Sequence, residues 1–332
     1  MRFIKKLVFL STFAAVCFVA WLGWFALTPL SLKSETLEFT IPSGVGLRQT
    51  ANLVKDAGAG FAPWQFVLLG RLMGRAGDIK AGSYEIDSGI TPFQLLGKLA
   101  HGDVSLGEIV FVEGKTFAEW RAAMSVHPYL KHDSATLSEA EILQRIGATE
   151  GRIEGLMFPD TYWFAKNASD LDLLRHSYRL MQSRLQTEWT KRDASLPYRT
   201  PYEAVIMASI VEKETGQATD RAAVAEVFVN RLSRGMLLQT DPTVIYGLGA
   251  AYDGNLHKRD LVTDTPYNTY TRAGLPPTPI AMPSLASLQA ALHPARGNLL
   301  YFVSRGDGSS QFSSSLEEHN RAVARYQLHR GG

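Results

Sequence analysis

The hydrophobic pattern of this chain begins with a run that has no polar counterpart. Leu7 to Leu27 carries no charge, and as a helix it is long enough to span a bilayer. From Leu37 the pattern turns amphipathic. LEFTIPSG reads as a short strand that ends in a turn. LRQTANLVKDAG places Leu47, Ala51 and Val54 on one helical face and stops at Gly58. A second helix follows near Pro63 to Gly74. IKAGSYEI then reads as a strand, and TPFQLLGKLAHG as a helix capped by Thr91 with Pro92 behind it. The order over this stretch is strand–helix–helix–strand–helix.

After residue 108 the elements lengthen. Ile109 to Val112 predicts a strand, Thr116 to Val126 a helix, and SEAEILQRIG another. EGLMFPDTYWF, from Glu154 to Phe164, sets Phe158, Tyr162, Trp163 and Phe164 around Pro159 and Asp160. That cluster is either an aromatic turn packed on a core or a wall on which sugar rings stack. Asp170 to Arg192 is a long amphipathic helix with Leu174, Tyr178, Met181 and Leu185 on one face. Thr200 to Gly216 is a helix whose ends are marked: Thr200 caps, Pro201 opens, Glu203 completes a capping box and Gly216 suits a left-handed stop. Thr219 or Asp220 opens another, with Val224, Val227, Phe228 and Leu232 as its buried stripe. Asp264 to Ser284 has little periodicity, and an irregular segment of that length inside a domain is often functional. The tail reads as strand, glycine turn, strand and helix. Strands and helices mixed in this way predict an α+β fold behind a single N-terminal transmembrane helix.

Charge orients the apolar run. Arg2, Lys5 and Lys6 precede it and Lys33 is the first cation after it, which puts the N-terminus in the cytoplasm. A cleaved signal peptide is the competing reading, but WFALTPLSL lacks a small-x-small cleavage site. The predicted divisions are a cytoplasmic N-terminus at 1–6, a transmembrane anchor at 7–27, a linker at 28–36, a small module at 37–108 and a larger domain at 109–330. The small module resembles a LysM-like fold, which often binds N-acetylglucosamine polymers; a spacer is the alternative. The whole chain carries a formal charge of +2, so nothing in its composition suggests nucleic acid as a partner. Its single cysteine, Cys17, lies in the apolar run, so the remainder has no disulfides or thiolate metal sites.

Candidate chemistry concentrates in the helix from Thr200. Met207, Ile210, Val211 and Glu214 fall at i, i+3, i+4 and i+7, so Glu214 extends an apolar stripe while Glu212 turns away from it. A carboxyl at the end of a buried stripe is partly desolvated, which raises its pKa and suits a general acid. The alternative is that EKE is the last, solvated turn. Gln239, Asp241, Thr243 and Tyr246 then crowd hydrogen-bonding groups beside Leu237, Leu238, Val244 and Ile245. Part of that cluster is explained if Asp241–Pro242 caps and opens a helix. Asn268, Thr269 and Tyr270 are neutral polar groups suited to an uncharged polyhydroxylated ligand. The sequence holds no P-loop, no GxGxxG after a strand, no HExxH and no GxSxG elbow, and it predicts no metal or cofactor.

The stretches IKAGSYEI, EGLMFPDTY, MASIVEKET, VFVNRL, LQTDPTVIYG, YNTYTRAGLPP, LHPA, LYFV and EHN, in this order, resemble the endolytic murein transglycosylases, a YceG-like family. The resemblance implies a membrane anchor, a LysM-like module and a catalytic domain. It also implies internal, non-hydrolytic cleavage of nascent peptidoglycan strands between N-acetylmuramic acid and N-acetylglucosamine, ending strand growth. The second glutamate of EKE, Glu214, matches the family's catalytic residue. Gln239, Asp241, Thr243, Tyr246, Asn268 and Tyr270 are the expected sugar contacts. The bacterial inner membrane, with the bulk of the chain periplasmic, is the implied location, and peptidoglycan synthases are implied partners. Two positions depart from the family pattern: Thr278 in GLPPTPI, often glycine, and Ser310 in GDGSSQF, where a histidine is common. The rival readings are a two-carboxylate hydrolase using Glu214 with Asp241, and a glycan-holding scaffold without chemistry.

Overall fold

Two units divide the chain in the computed structural model, which describes residues 2–327. The side chain of Arg2 and residues 328–332 lie outside it. With them go the Arg2 charge and positions 328–330 of the expected larger domain. The first unit is Met1–Glu108 with Trp163–Ala168, and the second is Ile109–Tyr162 with Ser169–Gly332.

In the first unit, helix α1 (Arg2–Leu27) is exposed on every side from Phe3 to Ala20, whereas Phe25, Ala26 and the following Leu30 are buried in the unit's core. By length and composition Phe3–Leu27 fits a membrane span or a signal sequence. Next come β1 (Ser31–Leu32), β2 (Thr36–Ile41), α2 (Leu47–Ala57), β3 (Ala59–Gly60), α3 (Pro63–Leu72), β4 (Gly82–Asp87) and α4 (Pro92–His101). β2 and β4 pair antiparallel, with Thr36 opposite Asp87 and Ile41 opposite Gly82. Alternation along β2 buries Leu37, Phe39 and Ile41 against the helices. Gly58, at φ +127°, ends α2. Thr91 caps α4 in a reciprocal box with Gln94. The strand–helix–helix–strand–helix order of the sequence pattern is therefore present as β2, α2, α3, β4 and α4.

β5 (Leu106–Val110) leads toward the second unit. It is followed by α5 (Phe117–Ser125), β6 (Leu130–Lys131), α6 (Glu139–Ile146), β7 (Thr161–Ala165), β8 (Ala168–Ser169) and α7 (Asp170–Lys191). α8 (Pro201–Glu214), α9 (Arg221–Ser233), α10 (Asp241–Leu248), α11 (Lys258–Val262) and α12 (Leu285–Leu292) make its helical body. The β9 (Tyr301–Ser304)–β10 (Ser310–Ser313) hairpin and α13 (Leu316–Tyr326) close it. α8 is the centre. Every residue from Ala204 to Val211 is buried, with α7, α9, α10 and α12 packed around it. Residues 263–284 are irregular.

Several local expectations change. α8 is apolar on all sides rather than along one stripe, which is the pattern of a helix buried all round. It stops at Glu214 because Thr215 turns extended (φ −142°, ψ 126°), and Gly216 takes no left-handed conformation. Thr200 caps as expected, but the Glu203 carboxylate accepts from Arg199 N at 2.5 Å, one residue before the capping-box partner. Among the aromatics, Phe158, Tyr162 and Phe164 are buried and only Trp163 is exposed. Strand alternation in β7 turns Tyr162 and Phe164 inward, so no continuous stacking wall forms.

Candidate active site

Because α8 is buried until its last turn, the two glutamates of that turn leave the core in different directions. Glu212 accepts from the backbone N and hydroxyl of Ser284, at 2.9 and 2.5 Å. Ser284 is the N-cap of α12, so Glu212 fastens one helix end to another. Glu214 instead turns into a cleft of about 540 Å³ in the second unit. Its walls include Arg231, Gln239, Asp241, Tyr270 and His319. The Glu214 carboxyl is partly buried and accepts a hydrogen bond from the hydroxyl of Thr240. Burial raises its pKa above the usual carboxylate range. The Thr240 hydrogen bond opposes this, the charge of Asp241 adds to it, and the charge of Arg231 opposes it. Desolvation dominates, so the group holds a proton at higher pH than an exposed glutamate does.

Three threonines fix that hydroxyl. Thr240 N donates to Thr269 Oγ1 at 3.1 Å, Thr243 Oγ1 donates to the Thr240 carbonyl at 2.8 Å, and the hydroxyls of Thr243 and Thr269 are 2.8 Å apart. All three residues are buried. Thr243 therefore braces the site from inside and has no free face for a sugar. Asn268 is likewise fully buried, and its amide donates to the carbonyls of Asp260, Leu261 and Thr263 at 3.1, 3.1 and 2.7 Å. Tyr246 donates its hydroxyl to Glu154 at 3.1 Å and does not line the cleft. The expected sugar contacts at Thr243, Tyr246 and Asn268 thus give way to structural roles, because Thr243 and Asn268 are fully buried and Tyr246 lies outside the cleft. Gln239, Asp241 and Tyr270 do line the cleft. The Tyr270 hydroxyl donates to Asp241 Oδ1 at 2.5 Å. Thr240, not Asp241, is the cap position of α10, and Asp241 is its first helical residue. Gln239 is exposed at φ +51°, a left-handed backbone that costs a side-chain-bearing residue about 1–2 kcal/mol.

Sequence reasoning missed Arg231 and His319. Arg231 is buried, with Nε and Nη1 donating to the carbonyls of Leu300 and Leu238 at 2.7 and 2.8 Å. Its guanidinium lies 5.3 Å from the Tyr301 ring centre, on which His319 stacks at 5.2 Å. Burial and then Arg231 push the His319 imidazole below its ordinary pKa. The available signal was Arg231 lying three residues after the buried Phe228, at a position where an apolar residue is expected.

The sequence model of the YceG-like family matches residues 39–325. The chain belongs to the YceG-like family. This YceG-like chain is 31% identical over 322 residues to the endolytic murein transglycosylase of Bacillus subtilis, covering 90% of this chain and 88% of that protein. It is 26% identical to the endolytic murein transglycosylase of Streptococcus pneumoniae D39, over 75% of this chain but 51% of the pneumococcal protein, so it spans about half that length. A crystal structure of a yceG-like protein from Listeria monocytogenes superposes with a TM-score of 0.54 at 27% identity, covering 86% of this chain and 98% of that one.

Proposed function

We propose that this YceG-like chain is an endolytic lytic transglycosylase of peptidoglycan. The observation that carries the reading is the Glu214 carboxyl, half-sunk in an open cleft, raised in pKa, and bonded to a hydroxyl. The names of the Bacillus and pneumococcal relatives support it. Protonated Glu214 gives its proton to the oxygen of the β-1,4 bond between N-acetylmuramic acid and N-acetylglucosamine. As that bond breaks, the muramoyl O6 attacks the anomeric carbon and the Glu214 carboxylate takes the proton from O6. The strand parts into a 1,6-anhydromuramoyl end and a free 4-hydroxyl, with no water consumed. One carboxyl suffices because the nucleophile belongs to the substrate and is already in place. Gln239, Asp241 and Tyr270 contact the sugars. Cleavage falls inside nascent strands and terminates their growth.

The remaining divisions follow. Residues 7–27 anchor the chain in the bacterial inner membrane with 1–6 cytoplasmic, since Lys5 and Lys6 precede the apolar run. The bulk is periplasmic, and residues 28–36, expected as a linker, belong to the first unit, where Leu30 is buried and Ser31–Leu32 pairs with Ala59–Gly60. Residues 37–108 form a LysM-like module that holds glycan, and 109–330 the catalytic domain. Peptidoglycan synthases, which make the nascent strand, are the protein partners.

Digestion of purified peptidoglycan, followed by mass spectrometry of the fragments, tests the reading. Anhydro ends made by the wild type and not by Glu214→Gln are expected. Reducing ends carrying an added water would replace it with the hydrolase reading, in which Asp241 serves as the second carboxylate. Undiminished cleavage by the variant would remove Glu214 from the chemistry.

A further inference from the structure

The anchor helix is too short where it is free. Lys5 and Lys6 hold one end of the apolar run at the headgroups, and the stretch exposed on all sides, Leu7 to Ala20, rises about 21 Å. The hydrocarbon layer is about 30 Å thick. The missing depth must come from the next turns of α1, where protein already covers one side of the helix while Trp24 and Leu27 stay exposed. Trp21 and Leu22 are partly covered, and Phe25 and Ala26 are buried in the core of the first unit. We propose that the end of the first unit packed on one side of α1 is seated in the non-cytoplasmic leaflet, with Trp64 and Phe93 inserted beside the helix. This rests on the anchoring part of the proposed function.

Contacts within the unit support the placement. The Trp21 ring stacks on Trp64, with centroids 5.5 Å apart and planes 13° from parallel. Trp64 nonetheless keeps 59% of its surface exposed. Leu30 N donates to the Ile90 carbonyl at 2.8 Å, which draws the start of α4 to the end of α1. Phe93, second in α4, is 47% exposed. The amphipathic Trp64 ring suits headgroup depth, and the bared Phe93 ring suits the acyl side of that boundary. Beside Trp64 runs a groove of about 560 Å³ whose lining includes Arg48 and Arg71. Neither guanidinium has an ion pair among the described residues, and a lipid phosphate is the partner a planar donor fork suits. The rival outcome is a bilayer that thins to the free length of the helix and leaves the unit in water.

The test uses the full chain carrying Cys17→Ser and one added cysteine, Val16→Cys, Trp64→Cys or Phe93→Cys. Each is spin-labelled and reconstituted in phosphatidylethanolamine–phosphatidylglycerol vesicles. Collision with oxygen is compared with collision with a nickel chelate, and free label in buffer sets the aqueous reference. Labels at all three positions shifted toward oxygen support the inference. A shift at 16, with 64 and 93 matching the free label, overturns it while leaving the anchor intact. A label at 16 that matches the free label overturns the anchor and this inference together. Should Trp64→Cys fail to give the wild-type circular dichroism, Phe93→Cys decides the question alone, since its ring is already half-exposed.

Discussion

At the scale of the residue, the cleft depends on one carboxyl whose burial outweighs its hydrogen bond. Glu214→Gln keeps the shape and the Thr240 contact while removing the titrating proton, so cleavage should fall by about 10²–10⁴-fold with no loss of melting temperature. The acid must be protonated to begin the reaction, so activity declines as pH rises through its raised pKa. Asp241 is one of the groups that raise it. Asp241→Asn should therefore move the descending limb of the pH–rate profile to lower pH, which kinetics on soluble glycan fragments would read. Gln239 offers a third test. Glycine at an ordinary position costs about 0.5–1 kcal/mol, but at φ +51° it relieves strain. Gln239→Gly should leave stability level or higher while raising KM for glycan, a pattern seen by pairing denaturation with kinetics. Glu214 was legible in the sequence because helical spacing is local. Arg231 and His319 were not, because they meet only after α9, β9 and α13 pack together.

At the scale of the element, a second carboxyl ties segments far apart in sequence. Glu154 is buried and accepts from Phe117 N, at the start of α5, at 3.0 Å and from the Tyr246 hydroxyl of α10 at 3.1 Å. Burial outweighs both hydrogen bonds and raises its pKa to about 7. The folded state thus binds the proton more tightly than the unfolded chain, whose pKa is near 4.5. Stability is fully present below the unfolded value and declines as pH rises toward 7, by on the order of 3 kcal/mol. Glu154→Gln should remove the Glu154 part of that decline and leave the part due to Glu214, as melting curves between pH 4 and pH 8 would reveal. The neighbouring Gly155 sits at φ +77°, and an added Cβ would lie 2.4 Å from Pro279. The irregular 263–284 segment therefore packs down onto EGLM only because that residue has no side chain. Periodicity announced neither contact, since both join segments with no repeat between them.

At the scale of the whole molecule, α1 belongs to a folded unit as well as to an apolar run. Phe25 and Leu30 are 6% and 7% exposed in the core of the first unit. A fragment beginning at residue 21 should unfold cooperatively, whereas one beginning at residue 31 loses two large buried side chains, worth about 1.5–3 kcal/mol each. Calorimetry of the two fragments would show the first-unit transition lowered in the second. The apolar run was visible in sequence because lack of charge needs no partner to be noticed. Its last turns gave no sign that they pack into protein rather than lipid, because an apolar face suits both surroundings.

What the chain determined by itself was whatever depends on neighbours within a few turns. That includes the α+β mixture, the caps at Thr91, Thr116 and Ser138, the order β2–α2–α3–β4–α4, and the separation of Glu212 from Glu214 around α8. The tertiary structure decided which polar groups face the cleft. Thr243, Tyr246 and Asn268 carry the same donors and acceptors as Gln239 and Tyr270, yet only the latter pair faces the cleft. A hydroxyl or amide looks available in sequence, and it stops being so once another segment folds against it and supplies the partner that burial requires.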